Sequence, residues 1–509
     1  MVSSVYSGAI NGIGGYLVTV EVDMAEGLPC IDLVGFLGSE VKESAGRIRV
    51  ALKNSGYHMP SKRFTVNLSP AGIRKGGSAF DLPIAIGMIQ AMGMGQEEFP
   101  TQRIFMAGEL GLDGTVRSIR GILPLLLEAK EQGIKFCIIP RANEKEGEWI
   151  KGLQILGVGH LTEVSEILCS LSRTGKFGKV QKNRKKKETD KEEKGTDFSQ
   201  IIGQAAAKRA AEIAAAGFHN LLLVGPPGTG KSMIASAIPG ILPPMDEREM
   251  LETSRIYSVA GLLHENCSFI TKRPFLNPHS NITPQALTGG GNIPRPGVLS
   301  LANHGVLFLD ELPEFKRQNL ELLRQPLEER NITIARKSGS FVYPCDFMLV
   351  GAMNPCPCGF YPDRNRCRCS ERDVQKYLGR ISGPFLDRID LSVGVFCSSY
   401  EQLQEHSREE SSKSVRKRVV QARMIQKERN QDGAFNGRVS PEELLRICDM
   451  TREAKEVAGR CYTERSLSLR GYHRLLRTAR TIADLEASGQ VKERHIYEAS
   501  AFRVYDRIQ

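Results

Sequence analysis

The eight residues GPPGTGKS, Gly225–Ser232, constrain the fold of this chain more than any other stretch. They match the pattern G-x-x-x-x-G-K-[ST] in full and directly follow an apolar run, Asn220–Val224. A buried strand, a glycine-rich turn and then a helix wrap backbone N–H groups around phosphate at the helix N-terminus. Gly225, Pro226, Pro227, Gly228, Thr229 and Gly230 are therefore expected to cradle the phosphates of ATP. Lys231 is expected to reach the β- and γ-phosphates and Ser232 to ligate Mg²⁺.

Two more apolar runs recur among helical stretches, at Gly305–Leu309 and Phe347–Ala352, which argues for a parallel α/β sheet. The first leads into VLFLDE, so Asp310 falls at the C-terminal end of a buried strand, where it can hold the Mg²⁺ shell. Glu311 is then placed to act as general base on the attacking water. An acidic turn after a core strand reads the same way when taken alone. The second run, FMLVGAMN, ends on Asn354, whose amide can orient that water or sense the γ-phosphate. GPFLDRID carries Arg388 and SLSLRGYHR carries Arg470; they read as an arginine finger for a neighbouring subunit and a γ-phosphate-contacting arginine of a lid. Each would equally suit a surface salt bridge.

At 509 residues the chain exceeds one core, and several domains are expected. Residues 1–172 mix strand-like and helix-like patterns and read as an α+β domain. Residues 173–198 are charged and poor in large apolar side chains, the composition of a mobile linker. Residues 199–397 hold the nucleotide motifs, and 398–509 read as a helical lid, with Ser440 and Pro441 starting one helix. No apolar run approaches the roughly 18 residues that span a bilayer, and no signal peptide is visible, so no membrane partner is expected and the cytoplasm is the expected location.

Formal net charge is +11, and between Lys176 and Lys194 nine Lys/Arg face four Asp/Glu. Such a balance suits an anionic partner such as nucleic acid without requiring one. Of twelve cysteines, four are packed into CPCGFYPDRNRCRCS as Cys356-x-Cys358, eight residues, then Cys367-x-Cys369. Two close pairs can close a tetrahedral Zn²⁺ site. One residue between paired cysteines is fewer than in the usual zinc knuckle, and unligated thiols or redox chemistry are the alternatives. Because the cluster directly follows Asn354, a metal there could brace that strand; Arg364, Arg366, Arg368 and Arg372 make the segment basic, so the loop could alternatively contact DNA.

The stretches IIGQAAAKRAAEIAAAGFHNLLLVGPPGTGKS, GVLFLDELPEF, GAMNPCPCG, GPFLDRIDL and SLRGYHRLLRTARTIADL stand in the order of a known family. In these the chain resembles the YifB/ComM family of magnesium-chelatase-like AAA+ ATPases. The resemblance implies a Lon-protease-like α+β first domain, an AAA+ parallel-sheet core and a helical C-terminal lid. It implies Asn354 as sensor 1, Arg388 as arginine finger and Arg470 as sensor 2. It also implies a homo-oligomeric, hexameric ring that acts as a DNA helicase, driving branch migration on single-stranded or branched DNA during natural transformation. The alternative is a chelatase-like or protein-remodelling AAA+ ATPase with no DNA substrate.

Lys75–Gly87 is similar to the Lon segment carrying its catalytic serine, which would fall on Ser78. Lon's lysine base would fall on Leu123, which cannot accept a proton. The first domain is therefore expected to be non-proteolytic, with Ser78 serving as a helix N-cap.

Overall fold

The computed structural model describes residues 2–94, 101–174, 195–263, 269–291, 294–336, 339–396 and 409–503. Two sheets organise the chain. The first has seven strands in the spatial order Cys30–Val34, Arg63–Ser69, Gly14–Ala25, Ser3–Asn11, Ile104–Met106, Phe136–Pro140 and Gln154–Val158. Ser3–Asn11, Gly14–Ala25 and Arg63–Ser69 pair antiparallel, while Ile104–Met106, Phe136–Pro140 and Gln154–Val158 continue the sheet in parallel. Helices Ser39–Asn54 and Asp81–Ala91 pack with this sheet in one core. The α+β reading of this region is what the structure has.

The second sheet is parallel throughout, in the order Phe275–Leu276, Val306–Leu309, Met348–Met353, Leu221–Val224 and Leu391–Gly394. All residues of Leu221–Val224, Val306–Leu309 and Met348–Met353 are buried, which is why their sequences are unbroken apolar runs rather than alternating ones. Because every strand runs the same way, their C-terminal ends share one edge, where ligands bind in open α/β sheets.

The C-terminal region is helical, as expected, and Ser440 caps Pro441–Ile447 by accepting the Glu443 N–H. It shares a core with the sheet: Val415, Val419, Leu475 and Leu476 belong to the same cluster as Leu221, Val306 and Val350. Helix Ser412–Arg429 lies on Ala205–Gly217 and on the phosphate-loop helix Lys231–Ile241, burying Val415, Val419 and Ala422 on one face.

Defined elements flank the expected 173–198 linker at both ends. Helix Leu161–Thr174 extends into it, while Asp197 caps the turn Phe198–Gln200 and accepts the Ser412 N–H. Phe198 is buried in the sheet core. Residues 175–194 lie outside the described residues.

The reading of Ser78 is corrected. Helix Asp81–Ala91 begins after Phe80 with no side-chain cap, and the Ser78 hydroxyl donates instead to the Glu109 carboxylate. The preceding Gly76–Gly77 loop keeps Ser78 off the cap position; there the Gly77 N–H donates to Glu40 at 2.8 Å.

The first domain docks on the second through helix Glu247–Ala260, which follows the phosphate-loop helix in the chain. Ser258 accepts the Leu123 N–H at 3.3 Å and donates to the Glu146 carboxylate at 2.7 Å. The Gly121 N–H donates to the Ser258 carbonyl at 2.9 Å, and Trp149 stacks on Phe269 at 5.4 Å.

Candidate nucleotide site

Strand Leu221–Val224 ends on Gly225, where a Cβ would lie 2.0 Å from the Val395 carbonyl oxygen, so only glycine fits the exit of this strand. Gly228 and Gly230 hold φ of +77° and +85°, left-handed values that turn the loop into helix Lys231–Ile241. Thr229 closes the loop by donating to the Pro226 carbonyl at 2.9 Å.

Lys231 is buried. Its ammonium donates to the Gly225 and Pro226 carbonyls at 2.8 and 2.7 Å and to Asn354 Oδ1 at 3.2 Å. Asn354 comes within reach because its strand is the immediate neighbour of Leu221–Val224. The next strand over, Val306–Leu309, delivers Asp310, whose Oδ2 accepts from Ser232 Oγ at 2.8 Å and whose Oδ1 accepts the Glu311 N–H at 2.9 Å. Glu311 is exposed and left-handed, with φ of 50°. A non-glycine residue in that region is strained by roughly 1–3 kcal/mol, and such strain gathers at functional positions. Three adjacent strand ends thus bring together the loop, Asp310 with Glu311, and Asn354. A buried ammonium beside loop N–H groups and a hydroxyl–carboxylate pair fits a magnesium nucleotide.

Arg388 and Arg470 meet elsewhere. Both bond Glu328 Oε1, at 2.7 Å from Arg388 and 3.4 Å from Arg470. The Arg388 Nε also donates to the Arg324 carbonyl at 3.1 Å. Among the described residues no hydrogen bond or ion pair joins either arginine to Ser232, Asp310 or Asn354. Arg474, one turn beyond Arg470, is buried and donates to the Leu386 and Ile389 carbonyls, locking the helix to the Arg388 segment. Asn220, at the start of the phosphate-loop strand, donates its amide to the Arg388 carbonyl at 2.8 Å and accepts the Leu349 N–H at 3.0 Å. Sequence reasoning missed Glu328, Arg474 and Asn220. The only available signal was an arginine spaced i, i+4 from Arg470 on the apolar face of an amphipathic helix.

Cys356, Cys358, Cys367 and Cys369 come together beside Asn354, with their sulfurs within 4.8 Å of one another. In the first domain, a cavity of about 960 Å³ is lined by Ser78, Glu109, Arg74 and Arg120, and by Phe341 from the second domain. Leu123 is fully buried, and the Lys75 ammonium is bonded to the Pro70 carbonyl with its pKa lowered by burial.

The family model described as magnesium chelatase, subunit ChlI, matches residues 197–403. The models described as subunit ChlI of Mg-chelatase and as magnesium chelatase, subunit ChlI C-terminal, match residues 20–143 and 409–503. Competence protein ComM of Haemophilus influenzae is 41% identical over 507 residues, covering 99% of this chain and 98% of that protein. The uncharacterized protein YifB of Escherichia coli is 39% identical over 516 residues, covering 99% and 98%. The Lon protease of Mycolicibacterium smegmatis is 26% identical over 170 residues, covering 32% of this chain and 21% of that protein. With its parallel-sheet core, its helical C-terminal region and near full-length identity to these relatives, the chain belongs to the YifB/ComM family of magnesium-chelatase-like AAA+ proteins.

Proposed function

We propose that this chain is an ATP-driven ring motor, cytoplasmic and homo-oligomeric, whose substrate is single-stranded or branched DNA. The observation that carries the motor reading is the separation of two half-sites within one chain. Lys231, Ser232, Asp310, Glu311 and Asn354 form one. Arg388 and Arg470 form the other around Glu328. Because the two arginines share one carboxylate, both are assigned to the neighbouring subunit's nucleotide, and a hexameric ring closes such head-to-tail contacts.

Bound Mg·ATP supplies the transferable phosphoryl group and the divalent charge that neutralises it. The loop N–H groups and Lys231 would hold the phosphates, and Ser232 and Asp310 would hold the metal. Glu311 would accept the proton of the attacking water, with Asn354 orienting that water. Because Asn354 already bonds Lys231, a change at the phosphates is felt directly by the sensor strand.

DNA as the substrate is supported by the near full-length likeness to a competence protein and by the net charge of +11. Lys413, Arg416, Lys417 and Lys427 stand exposed on helix Ser412–Arg429, where they offer phosphate-contacting charge. No described helix is long and apolar enough to cross a membrane. The test is steady-state ATPase of the purified protein alone and with single-stranded, duplex and Holliday-junction DNA. Stimulation by single-stranded or branched DNA, weakening as salt rises, is expected. A rate indifferent to every DNA would overturn the DNA substrate in favour of a protein or tetrapyrrole client.

A further inference from the structure

Four cysteines crowd one point at the exit of the strand that ends in Met353. Cys356 Sγ lies 3.3 Å from Cys358 Sγ and 3.8 Å from Cys367 Sγ, and the Cys358 and Cys367 sulfurs are 3.6 Å apart. All four sulfurs, that of Cys369 included, lie within 4.8 Å of one another. These contacts are too long for a disulfide, whose sulfurs sit about 2.05 Å apart. They are close to the edges of a tetrahedron: four sulfurs at ~2.3 Å from a central Zn²⁺ stand about 3.8 Å from each other. An iron–sulfur cluster would divide its cysteines among two or four iron atoms, so that sulfurs on different irons stand further apart. Cys356 and Cys367 are buried, Cys358 and Cys369 half-buried, and the Tyr361 N–H donates to Cys356 Sγ at 3.4 Å, as suits a sulfur carrying ligand charge.

We propose that these four cysteines hold one Zn²⁺ and that the metal-closed loop braces the nucleotide site. The first pair begins two residues after Asn354, and Tyr377, on the helix that follows the second pair, is buried in one core with Met353, Cys356 and Cys367. Between the pairs, Gly359 lies against the phosphate loop, with φ of +86° and so little room that a Cβ would sit 2.5 Å from Pro227 Cδ. The loop therefore touches Pro227 on one side and the Asn354 strand on the other, with no sheet pairing of its own across 355–370. Closing it through a metal fixes both contacts at once. The metal assignment rests on the sulfur geometry alone; the bracing role rests also on the ATPase reading.

The experiment uses the full-length chain purified under reducing conditions without added metal. Elemental analysis is expected to find about one zinc per chain. Cys367→Ser and Cys369→Ser are expected to lose it, while Cys169→Ser, outside the cluster, retains it. Should the serine variants misfold, mercurial titration of the wild type with a chromogenic chelator reads the same point: zinc leaves as the cluster thiols react. A wild type that carries no zinc and takes up none, or that carries iron at equal stoichiometry, overturns the site. Stripping zinc from the wild type is expected to raise the KM for ATP severalfold, with recovery on re-addition. An unchanged KM overturns the bracing role and leaves the metal site standing. A zinc-loaded chain with no ATPase at all would instead count against the ATPase reading.

Discussion

At the scale of single residues, the Lys231 ammonium is held by the Gly225 and Pro226 carbonyls and by Asn354, so a cation stands ready at the mouth of the loop. Lys231→Ala is expected to abolish nucleotide binding, since no other buried cation lines the loop among the described residues. Glu311→Gln should keep nucleotide affinity, because Glu311 is exposed and its N–H rather than its carboxylate bonds Asp310. Its turnover should fall by roughly 10²–10⁴-fold, the usual worth of a general base. Fluorescent-nucleotide titration beside steady-state ATPase separates the two effects, and normal turnover in Glu311→Gln would remove it as the base. The places of Asp310 and Asn354 at strand ends were legible in the sequence because each follows an apolar run of the kind buried parallel strands carry. Glu328 was not, because its importance lies in two arginines from distant segments meeting on one oxygen. Ser78 misled for the opposite reason: a polar residue ahead of an apolar helix looks like a cap, and only the fold turns it to Glu109.

Among the elements, the strand leading to the phosphate loop is preceded by a histidine that titrates differently when buried. His219, fully buried just before that strand, bonds Thr481 through Nε2 at 2.8 Å, and its Nδ1 lies 3.9 Å from Asp390. Burial pushes its pKa down to about 4, with Arg477 and Arg438 adding to the fall and Asp390 opposing it. The unfolded chain, with an ordinary value near 6.5, binds that proton more readily than the folded one. The sign follows directly: this stability is fully present above pH 6.5 and is lost as pH falls toward about 4. It amounts to on the order of 3 kcal/mol. Melting temperature measured across that window should fall less steeply in His219→Gln than in the wild type; parallel curves would contradict the assignment. The elements themselves were unevenly legible. Strand Ser3–Asn11 escaped notice because two of its buried positions are Ser3 and Ser7, and Ser3 satisfies its hydroxyl on the Gly87 carbonyl at 2.7 Å. Polar residues at buried positions erase the alternation that marks a strand.

For the whole molecule, the arrangement that matters is invisible in any one segment. An amphipathic helix announces a buried face but not what covers it. Ser412–Arg429 and Leu469–Leu485 share a core with the sheet, and Ser258 ties the first domain to the second through Glu146 and Leu123. That placement sets Arg388 and Arg470 together on Glu328, while Ser232 and Asp310 of the same chain bond each other. Hydrolysis is then expected where the arginines of one copy meet the loop of the next. Mixing Arg388→Ala subunits with Lys231→Ala subunits tests it most directly. Each variant alone is expected to lose nearly all ATPase, with Arg388→Ala falling by about 10³-fold or more. The mixture should recover a clear fraction of wild-type turnover, because an intact loop can then face an intact Arg388. No recovery in mixed rings of confirmed composition, or full activity of Arg388→Ala alone, would contradict it.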